Sequence, residues 1–212
     1  MSPSHASVPL RSPRASTPTR LPFFDSDRAI VAALRAGQAD GGRALYDRYH
    51  RHVRRVLLRV LGPAGELHDV LHDVFVSAID GVERLEEPDA LRGWLTTIAV
   101  FHARAEIRAR SRRRWFPLFS HDDLPQSEAT VVTPELDEAV RRTYEVLGKL
   151  AADERIAFAL RFIDGMELVE VADACGVSLA TIKRRLSRAQ SKFRNIAARY
   201  SELDEWLEGG VP

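Results

Sequence analysis

Residues 162–200 constrain the fold of this chain more than any other segment, because two short helical patterns follow one another there across a tight turn. The first pattern repeats apolar residues every three or four positions, and Gly176 after it supplies the sharp turn. Ser178 then offers a hydroxyl to the unpaired N–H groups of a helix that starts near Leu179. This arrangement predicts a helix-turn-helix.

The second helix of this motif has seven Lys and Arg residues and no acidic residue between positions 179 and 200. Its predicted buried stripe comprises Ile182, Leu186, Ala189 and Phe193. The side chains that can touch base edges in a major groove are Thr181, Arg184 and Arg188. The flanking cations suited to phosphates are Lys183, Arg185, Lys192 and Arg194. A face of one charge sign repels itself unless a polyanion neutralises it, so the motif predicts a reader of duplex DNA.

Composition excludes several classes of protein. The 212 residues are 45% hydrophobic and 29% charged, and the formal net charge is only +1, so the basic character is concentrated at particular places. No run of eighteen apolar residues occurs, and we expect no membrane insertion. The single cysteine, Cys175, cannot form an internal disulfide and suits a cytoplasmic location. We expect no cofactor and no catalytic residues.

Changes in composition divide the chain into two helical domains. Residues 1–25 form a Ser-, Pro- and Arg-rich tail whose composition predicts disorder. An organelle transit peptide is the alternative, but the prolines of this tail would break the amphipathic helix that such peptides use. Helical periodicity covers residues 26–116, stops over an acidic linker at 117–133 and returns over 134–200. The acidic end, 201–212, is interpreted as a solvated tail, with a docking element or a DNA mimic as alternatives. The predicted fold class is all-α, with two small domains and a flexible linker.

Four helices are predicted in the first domain. Asp27 is expected to cap the first helix, and the second runs from near Gly42 to Gly62. The buried stripe expected for the second helix is Leu45, Tyr49, Val53, Val56, Leu57 and Val60. The third helix covers residues 66–79, with an expected apolar face of Leu67, Val70, Leu71, Val74, Phe75, Ala78 and Ile79. The fourth begins after Pro88 and continues into a run of arginines.

The arginine run, from residue 104 to residue 114, includes one acidic residue, Glu106, and is followed by Trp115 and Phe116. Cations suit the phosphates of a single strand, and aromatic rings suit its exposed bases. The alternative is a positive helix end that the macrodipole favours, followed by core aromatic residues. The run is therefore a second candidate nucleic-acid site, this one for unpaired strands.

Together these features resemble the extracytoplasmic-function (ECF) group of the sigma-70 family of bacterial RNA polymerase sigma factors. The second domain carries LGKLAADERIAFALRFIDGMELVEVADACGVSLATIKRRLSRAQSKFR, which is similar to the fourth conserved region of that family. The first domain carries LYDRYHRHVRRVLLRVLG, HDVLHDVFVSAI and LRGWLTTIA, which are similar to parts of the second conserved region. The resemblance covers most of residues 44–199.

The resemblance implies a polymerase subunit whose second domain holds the −35 promoter element and whose first domain captures bases of the melted −10 element. The implied −35 contacts are Ser178, Thr181, Lys183, Arg184, Arg185 and Arg188. The implied −10 contacts are Trp94, Arg104, Arg108, Arg112, Arg113 and Arg114. Core RNA polymerase would contact the third helix at Asp69, His72, Asp73 and Ser77. The implied partners are core polymerase, promoter DNA and, as is common in this group, an anti-sigma factor.

Three positions depart from the family pattern. His72 stands where the family usually has Gln, and Phe101 stands at the Asn of an I-A-x-N motif. Ala105 replaces a usual acidic residue, with Glu106 one position later. We expect the fold to tolerate these changes, which bear on how the −10 element is read or melted.

Two other functions are open at the level of sequence. A helix-turn-helix regulator that never joins polymerase would explain the second domain but not the basic and aromatic run of the first. A metal-dependent hydrolase would use His68 and His72, which lie four residues apart on one helical face and can share a metal ion. No further ligand motif completes that site in the sequence.

Overall fold

The computed structural model describes residues 24–63, 67–115 and 134–204, which form helices and connecting turns without a strand. The all-α prediction is therefore confirmed. The predicted linker, the acidic end beyond residue 204 and nearly all of the N-terminal tail lie outside the described residues.

The N-terminal domain contains the four predicted helices, which are α1 (Asp27–Arg35), α2 (Ala39–Leu61), α3 (Leu67–Gly81) and α4 (Leu91–Trp115). Short 3₁₀ turns at Val82–Arg84 and Pro88–Ala90 connect α3 to α4. The predicted stripe of α2 is buried, and it packs against α3 and α4 around one apolar core. The arginine run is a continuous part of α4.

The start of α1 and one edge of α3 differ from the prediction. Ser26, not Asp27, caps α1, because its hydroxyl accepts a backbone N–H of the first turn at 3.2 Å. Asp27 instead accepts a hydrogen bond from the Tyr49 hydroxyl at 2.6 Å, so tertiary packing engages the carboxylate that the local pattern assigned to capping. Ile79, expected in the buried face of α3, is 41% exposed; its Cδ1 lies next to Gly42 of α2, which has no side chain to cover it.

The C-terminal domain contains α5 (Pro134–Leu147), α6 (Ala152–Phe158), α7 (Leu168–Cys175) and α8 (Leu179–Ala197). A π-helical turn at Ala159–Ile163 follows α6, and a 3₁₀ turn at Ser201–Leu203 follows α8. The rings of Phe158 and Phe193 stack in a core between α6 and α8, with centroids 4.8 Å apart. Helices α7 and α8 form the predicted helix-turn-helix, and α8 begins at the predicted residue.

The two domains pack directly against each other. Helix α4 lies against α6 and α7, and α2 lies against the turn at Ala159–Ile163. One apolar core therefore continues from Leu57 and Val100 in the first domain to Val171 and Ile182 in the second. The sequence did not indicate this contact, since a linker alone does not say whether two domains touch.

A polar link between the domains forms at the C-terminal end of α2. The buried guanidinium of Arg155 donates to the carbonyls of Val60 and Leu61, at 2.9 Å each. The Tyr144 hydroxyl donates to the Leu58 carbonyl at 3.1 Å. The last carbonyls of a helix lack partners within it, and its negative end favours a cation. The second domain thus caps a helix of the first.

Gly62 ends α2 and leaves room for Tyr144. Its φ is +78°, which favours glycine, and a Cβ at this position would lie 2.8 Å from the Tyr144 ring. We expect Gly62→Ala to lower the free energy of unfolding by about 2–4 kcal/mol through backbone strain and collision with the ring. Chemical denaturation of the wild type and the variant measures this change.

The same substitution in a Tyr144→Ala background separates the two causes, because the strain persists there and the collision does not. Because Tyr144 lies close to Gly62 across the domain contact, we expect Gly62→Ala to lower the free energy of unfolding by less in the Tyr144→Ala background than in the wild type. An equal loss in both backgrounds would show that Tyr144 does not reach Gly62 in solution.

Candidate nucleic-acid interface

The turn before α8 determines where this helix begins. Gly176 has a φ of +65°, in the left-handed region, and ends α7. The Ser178 hydroxyl accepts the N–H of Thr181 at 3.3 Å, so it caps α8 as predicted. Ser178 is exposed and Thr181 is half-buried at this end of the helix.

Helix α8 has one apolar face and one basic face, as the sequence predicts. The four residues of its predicted apolar stripe are buried. Lys183, Arg184 and Arg188 are exposed on the other side, and none of them forms an ion pair with a described residue. Cations without an acidic partner are available to contact phosphates or base edges.

Two other cations of α8 are paired with acidic residues in the first turn of α6. The Arg185 guanidinium lies 3.3 Å from the Asp153 carboxylate, and Lys192 donates to Glu154 at 2.8 Å. The sequence predicted both cations as phosphate contacts. In this structure they form ion pairs because α6 packs along α8 and carries both acids at its start. A role for Arg185 in DNA binding stays a prediction.

The predicted single-strand site lies on α4. The residues that follow one another along its groove-facing side are Phe101, Arg104, Arg108 and Arg112. Arg108 and Arg112 are exposed and form no ion pair with a described residue. Arg104 donates to Asp153 at 2.8 Å. Arg113 and Arg114 continue α4, and their side chains lie outside the described part of the structure.

Phe101 is a candidate functional residue that the sequence pattern did not select. Its side chain is 64% exposed, more than any other large hydrophobic residue that the structure describes. It precedes Arg104 by one helical turn, and an exposed ring beside arginines suits a strand whose bases can stack. The feature of the sequence that could have singled out Phe101 was its departure from the Asn that the family usually has at this position.

One groove, of about 590 Å³, is lined by the predicted single-strand surface and by one residue of the predicted duplex surface, Arg185. The face of α4 forms one wall, and Gly176, Val177 and Arg185 contribute from the helix-turn-helix. Asp153 is the acidic side chain among the described residues that line it. The sequence predicted two separate basic sites, and the packing of α4 on α7 brings their edges together.

Trp94 lies apart from the arginines with which the sequence grouped it. It is half-buried and lines a second cleft, of about 740 Å³, between the domains. Arg55 and Asp164 also line this cleft and form an ion pair across the domains at 3.1 Å. Trp94 and Arg104 are ten residues apart on α4, which is about 15 Å along the helix axis. The same helix therefore places Trp94 in one cleft and Arg104 in the other groove.

The polar face of α3, predicted to bind polymerase, is exposed at Asp69, His72 and Asp73. Ser77 differs, because it is half-buried and its hydroxyl lies 2.8 Å from Nε2 of His102 on α4. That hydroxyl is therefore engaged within the domain. Burial lowers the pKa of His102, and the nearby charge of Asp73 opposes this shift.

The alternative metal site at His68 and His72 gains no further ligands from the fold. Both histidines are exposed on α3, and His72 lies 3.8 Å from Asp73. Over residues 24–63, 67–115 and 134–204, no group of three or more His, Cys, Asp and Glu side chains is placed to hold a metal ion.

Two family models match the chain: sigma-70 region 2 over residues 45–113 and sigma-70 region 4 over residues 141–192. Together they cover more than half of the chain. This protein belongs to the ECF group of the sigma-70 family. The match to region 2 explains the first domain of this sigma factor. The alternative, a regulator that never joins polymerase, leaves that domain unexplained. Members of the family are transcription initiation factors and not enzymes.

Relatives of this sigma factor include the ECF RNA polymerase sigma-E factor of Escherichia coli K12, which is 26% identical over 182 residues and is matched over 80% of this chain and 93% of its own. The sigma-E factor of Haemophilus influenzae is 24% identical over 184 residues, with coverages of 80% and 94%. No helix in the described part of the sigma factor is long and apolar enough to cross a membrane.

Two solved structures share the fold. One is CnrH in complex with the cytosolic domain of CnrY, with a TM-score of 0.57, 23% identity and coverage of 84% of this chain and 100% of that one. The other is the sigma factor RpoE in complex with the anti-sigma factor NepR from Bartonella quintana, with a TM-score of 0.54, 21% identity and coverages of 72% and 94%.

His52 is a partly buried titratable group at the second cleft. Its Nε2 lies 2.9 Å from the Thr96 hydroxyl, and burial, with smaller contributions from Arg92 and Arg55, lowers its pKa from 6.5 to about 4. Because the folded pKa is the lower one, the unfolded chain takes up this proton first as the pH falls. We expect the contribution of His52 to stability to be complete above about pH 6.5 and to be lost progressively towards pH 4.

Denaturation of the wild type and of His52→Gln between pH 8 and pH 5 measures this contribution. The variant is expected to lose less stability on acidification, because glutamine can bond to Thr96 and does not titrate. Parallel pH profiles for the two proteins would contradict the assignment.

Proposed function

We propose that this sigma factor binds core RNA polymerase and directs initiation at specific promoters, reading the −35 element with α8 and the melted −10 element with α4. The observation that carries the proposal is the exposed basic face of α8, where Lys183, Arg184 and Arg188 have no acidic partner among the described residues. Membership of the sigma-70 family is the reason for proposing core RNA polymerase as the partner of this DNA reader.

Helix α8 has the dimensions and chemistry for a major groove. An α-helix with its side chains is about 10–12 Å across, and the groove is about 12 Å wide. Arg184 and Arg188 lie one turn apart on the exposed face, where each can make a bidentate contact with a guanine. Lys183 lies beside them and suits a phosphate.

The exposed face of α4 suits a strand that has left the duplex. Phe101 offers a ring for base stacking. Arg108 and Arg112 lie about two and three turns further along α4, where they can meet phosphates. Stacking depends little on which base is present. We therefore propose that Phe101 captures a −10 base with little hydrogen-bond selection at its position.

We place the polymerase contact on α3, where Asp69, His72 and Asp73 are exposed together. Ser77 lies at the edge of this surface, with its hydroxyl turned to His102. Since the RpoE structure of similar fold contains an anti-sigma factor, we propose a partner of that class for this protein.

The test of this function is transcription from a library of promoters by bacterial core polymerase, with and without the purified protein. We expect the protein to elute with core polymerase in gel filtration and to start transcripts from a subset of promoters that share two sequence elements. Failure to bind polymerase, with duplex binding retained, would overturn the proposal in favour of a regulator that acts without polymerase.

Arg184→Ala and Arg188→Ala test the duplex reader. Each is expected to weaken binding to the selected −35 duplex by about 1–3 kcal/mol and to relax the preference for one base pair. Fluorescence anisotropy with the selected duplex and with single-base-pair variants measures both effects.

Lys183→Ala is the matched control for these variants, because it removes an equal charge beside the reading face. It is expected to weaken all duplexes about equally and to reduce the salt dependence of binding. Base-pair preferences that stay intact in Arg184→Ala and Arg188→Ala would show that the reading face has been assigned to the wrong side chains.

Phe101→Ala tests the stacking contact on α4. We expect a loss of about 1–3 kcal/mol in binding to a single-stranded −10 oligonucleotide, because one base loses its stacking partner. Phe101→Tyr keeps the ring and is expected to bind nearly as the wild type does. Equal affinities for the alanine variant and the wild type, measured at low salt, would remove Phe101 from the site.

A further inference from the structure

We propose that Leu179 and Ala180, in the first turn of α8, read the methyl group of a thymine in the −35 element. We call these two side chains the methyl patch. The inference rests on the function proposed above and deepens it, because it assigns a base identity to two residues that lie outside the predicted set of −35 contacts.

The methyl patch is exposed at the start of the reading helix. Leu179 is 37% exposed, and Ala180 is exposed beside it. Ala180 precedes Arg184 by four residues, so both side chains lie on the same side of α8. In helix-turn-helix proteins, the first residues of the recognition helix contact base edges in the major groove. The patch therefore lies where base contacts are expected.

The two hydroxyls at the start of α8 are engaged with each other. Ser178 Oγ accepts the N–H of Thr181 at 3.3 Å, and the hydroxyl oxygens of the two residues lie 3.0 Å apart. One hydroxyl donates to the other, which leaves a single hydroxyl proton of the pair for a base. The side-chain surface that this turn offers to a base edge is therefore mainly apolar.

The C5 methyl of thymine is the apolar group that matches this surface. It is the one methyl group that the four base pairs present in the major groove. Packing it against Leu179 and Ala180 removes apolar surface of both partners from water, which is favourable. A polar base edge at the same place would lose hydrogen bonds to water and gain none from the patch. The patch therefore favours thymine over the other bases.

Helix geometry limits where this thymine lies. Ala180 and Arg184 are separated by about 6 Å along the axis of α8. Successive base pairs are about 3.4 Å apart, so this distance spans nearly two base-pair steps. We expect the thymine within about two base pairs of the pair that Arg184 reads.

Deoxyuridine tests the contact, because its exchange for thymine removes only the methyl group. Each thymine of the selected −35 duplex is replaced in turn, and binding of the full-length protein is measured by fluorescence anisotropy. We expect one replacement, close to the pair whose preference Arg184→Ala relaxes, to weaken binding about fourfold, the effect of burying one methyl group. Ala180→Gly and Leu179→Ala should each bring the ratio of the thymine and deoxyuridine affinities towards one.

Ala198→Gly is the matched control. It makes the same substitution at the other end of α8, where Ala198 is also exposed. Glycine disfavours a helix, but this effect changes the affinities for both duplexes equally, so their ratio isolates the methyl contact. We expect the ratio for this variant to equal that of the wild type.

Wild-type ratios in both Ala180→Gly and Leu179→Ala would overturn the methyl contact. Promoter-directed initiation from a −35 element that has no methyl-sensitive thymine within about two base pairs of the pair read by Arg184 would also overturn it, and would leave the proposed function intact. If the methyl effect is present but the protein does not initiate transcription with core polymerase, the thymine contact is supported and the proposed function fails.

Discussion

The capping of α2 by the second domain is the interaction on which the rest of this structure depends. The end of a helix presents carbonyls that have no partner within it, and burying such groups unpaired is costly. Arg155, from the other domain, brings donors to two such carbonyls, those of Val60 and Leu61. The Tyr144 hydroxyl adds a second donor to the Leu58 carbonyl, and Gly62 clears the space that the Tyr144 ring fills. With this end in place, α4 lies against α7, and the basic surfaces of both domains border one groove.

Helix α4 shows how one element serves a core and a nucleic-acid surface together. Leu95, Ala99 and Val100 are buried in the shared apolar core, while Arg108 and Arg112 are exposed beyond it. The protein as a whole is close to neutral, with a formal net charge of +1. Its acidic residues nevertheless leave the outer face of α8 and this part of α4 without ion-pair partners among the described residues. The field that these faces present to a polyanion is therefore local and not a property of the whole surface.

Particular residues show which predictions a sequence supports. Gly176 and Ser178 act on backbone groups within three residues of themselves, and the bounds of the helix-turn-helix follow from them as predicted. Ser77 and Arg185 were predicted as free surface groups, yet their partners lie 25 and 32 residues away in the chain. Asp27 was taken for a cap and bonds instead to Tyr49, 22 residues further on. Local spacing carries no information about such partners.

The sequence by itself determined the all-α class, the helix-turn-helix and the face of α8 that carries its positive charge, because helical periodicity and capping depend on neighbours in the chain. The separation of Trp94 from the arginines and the convergence of the two basic surfaces were decided only by tertiary structure. So was the sharing of Asp153 between Arg104 and Arg185. The physical reason is that a short-range ion pair needs helices from distant parts of the chain to be packed together, and that packing is the combined result of the buried surfaces of both domains.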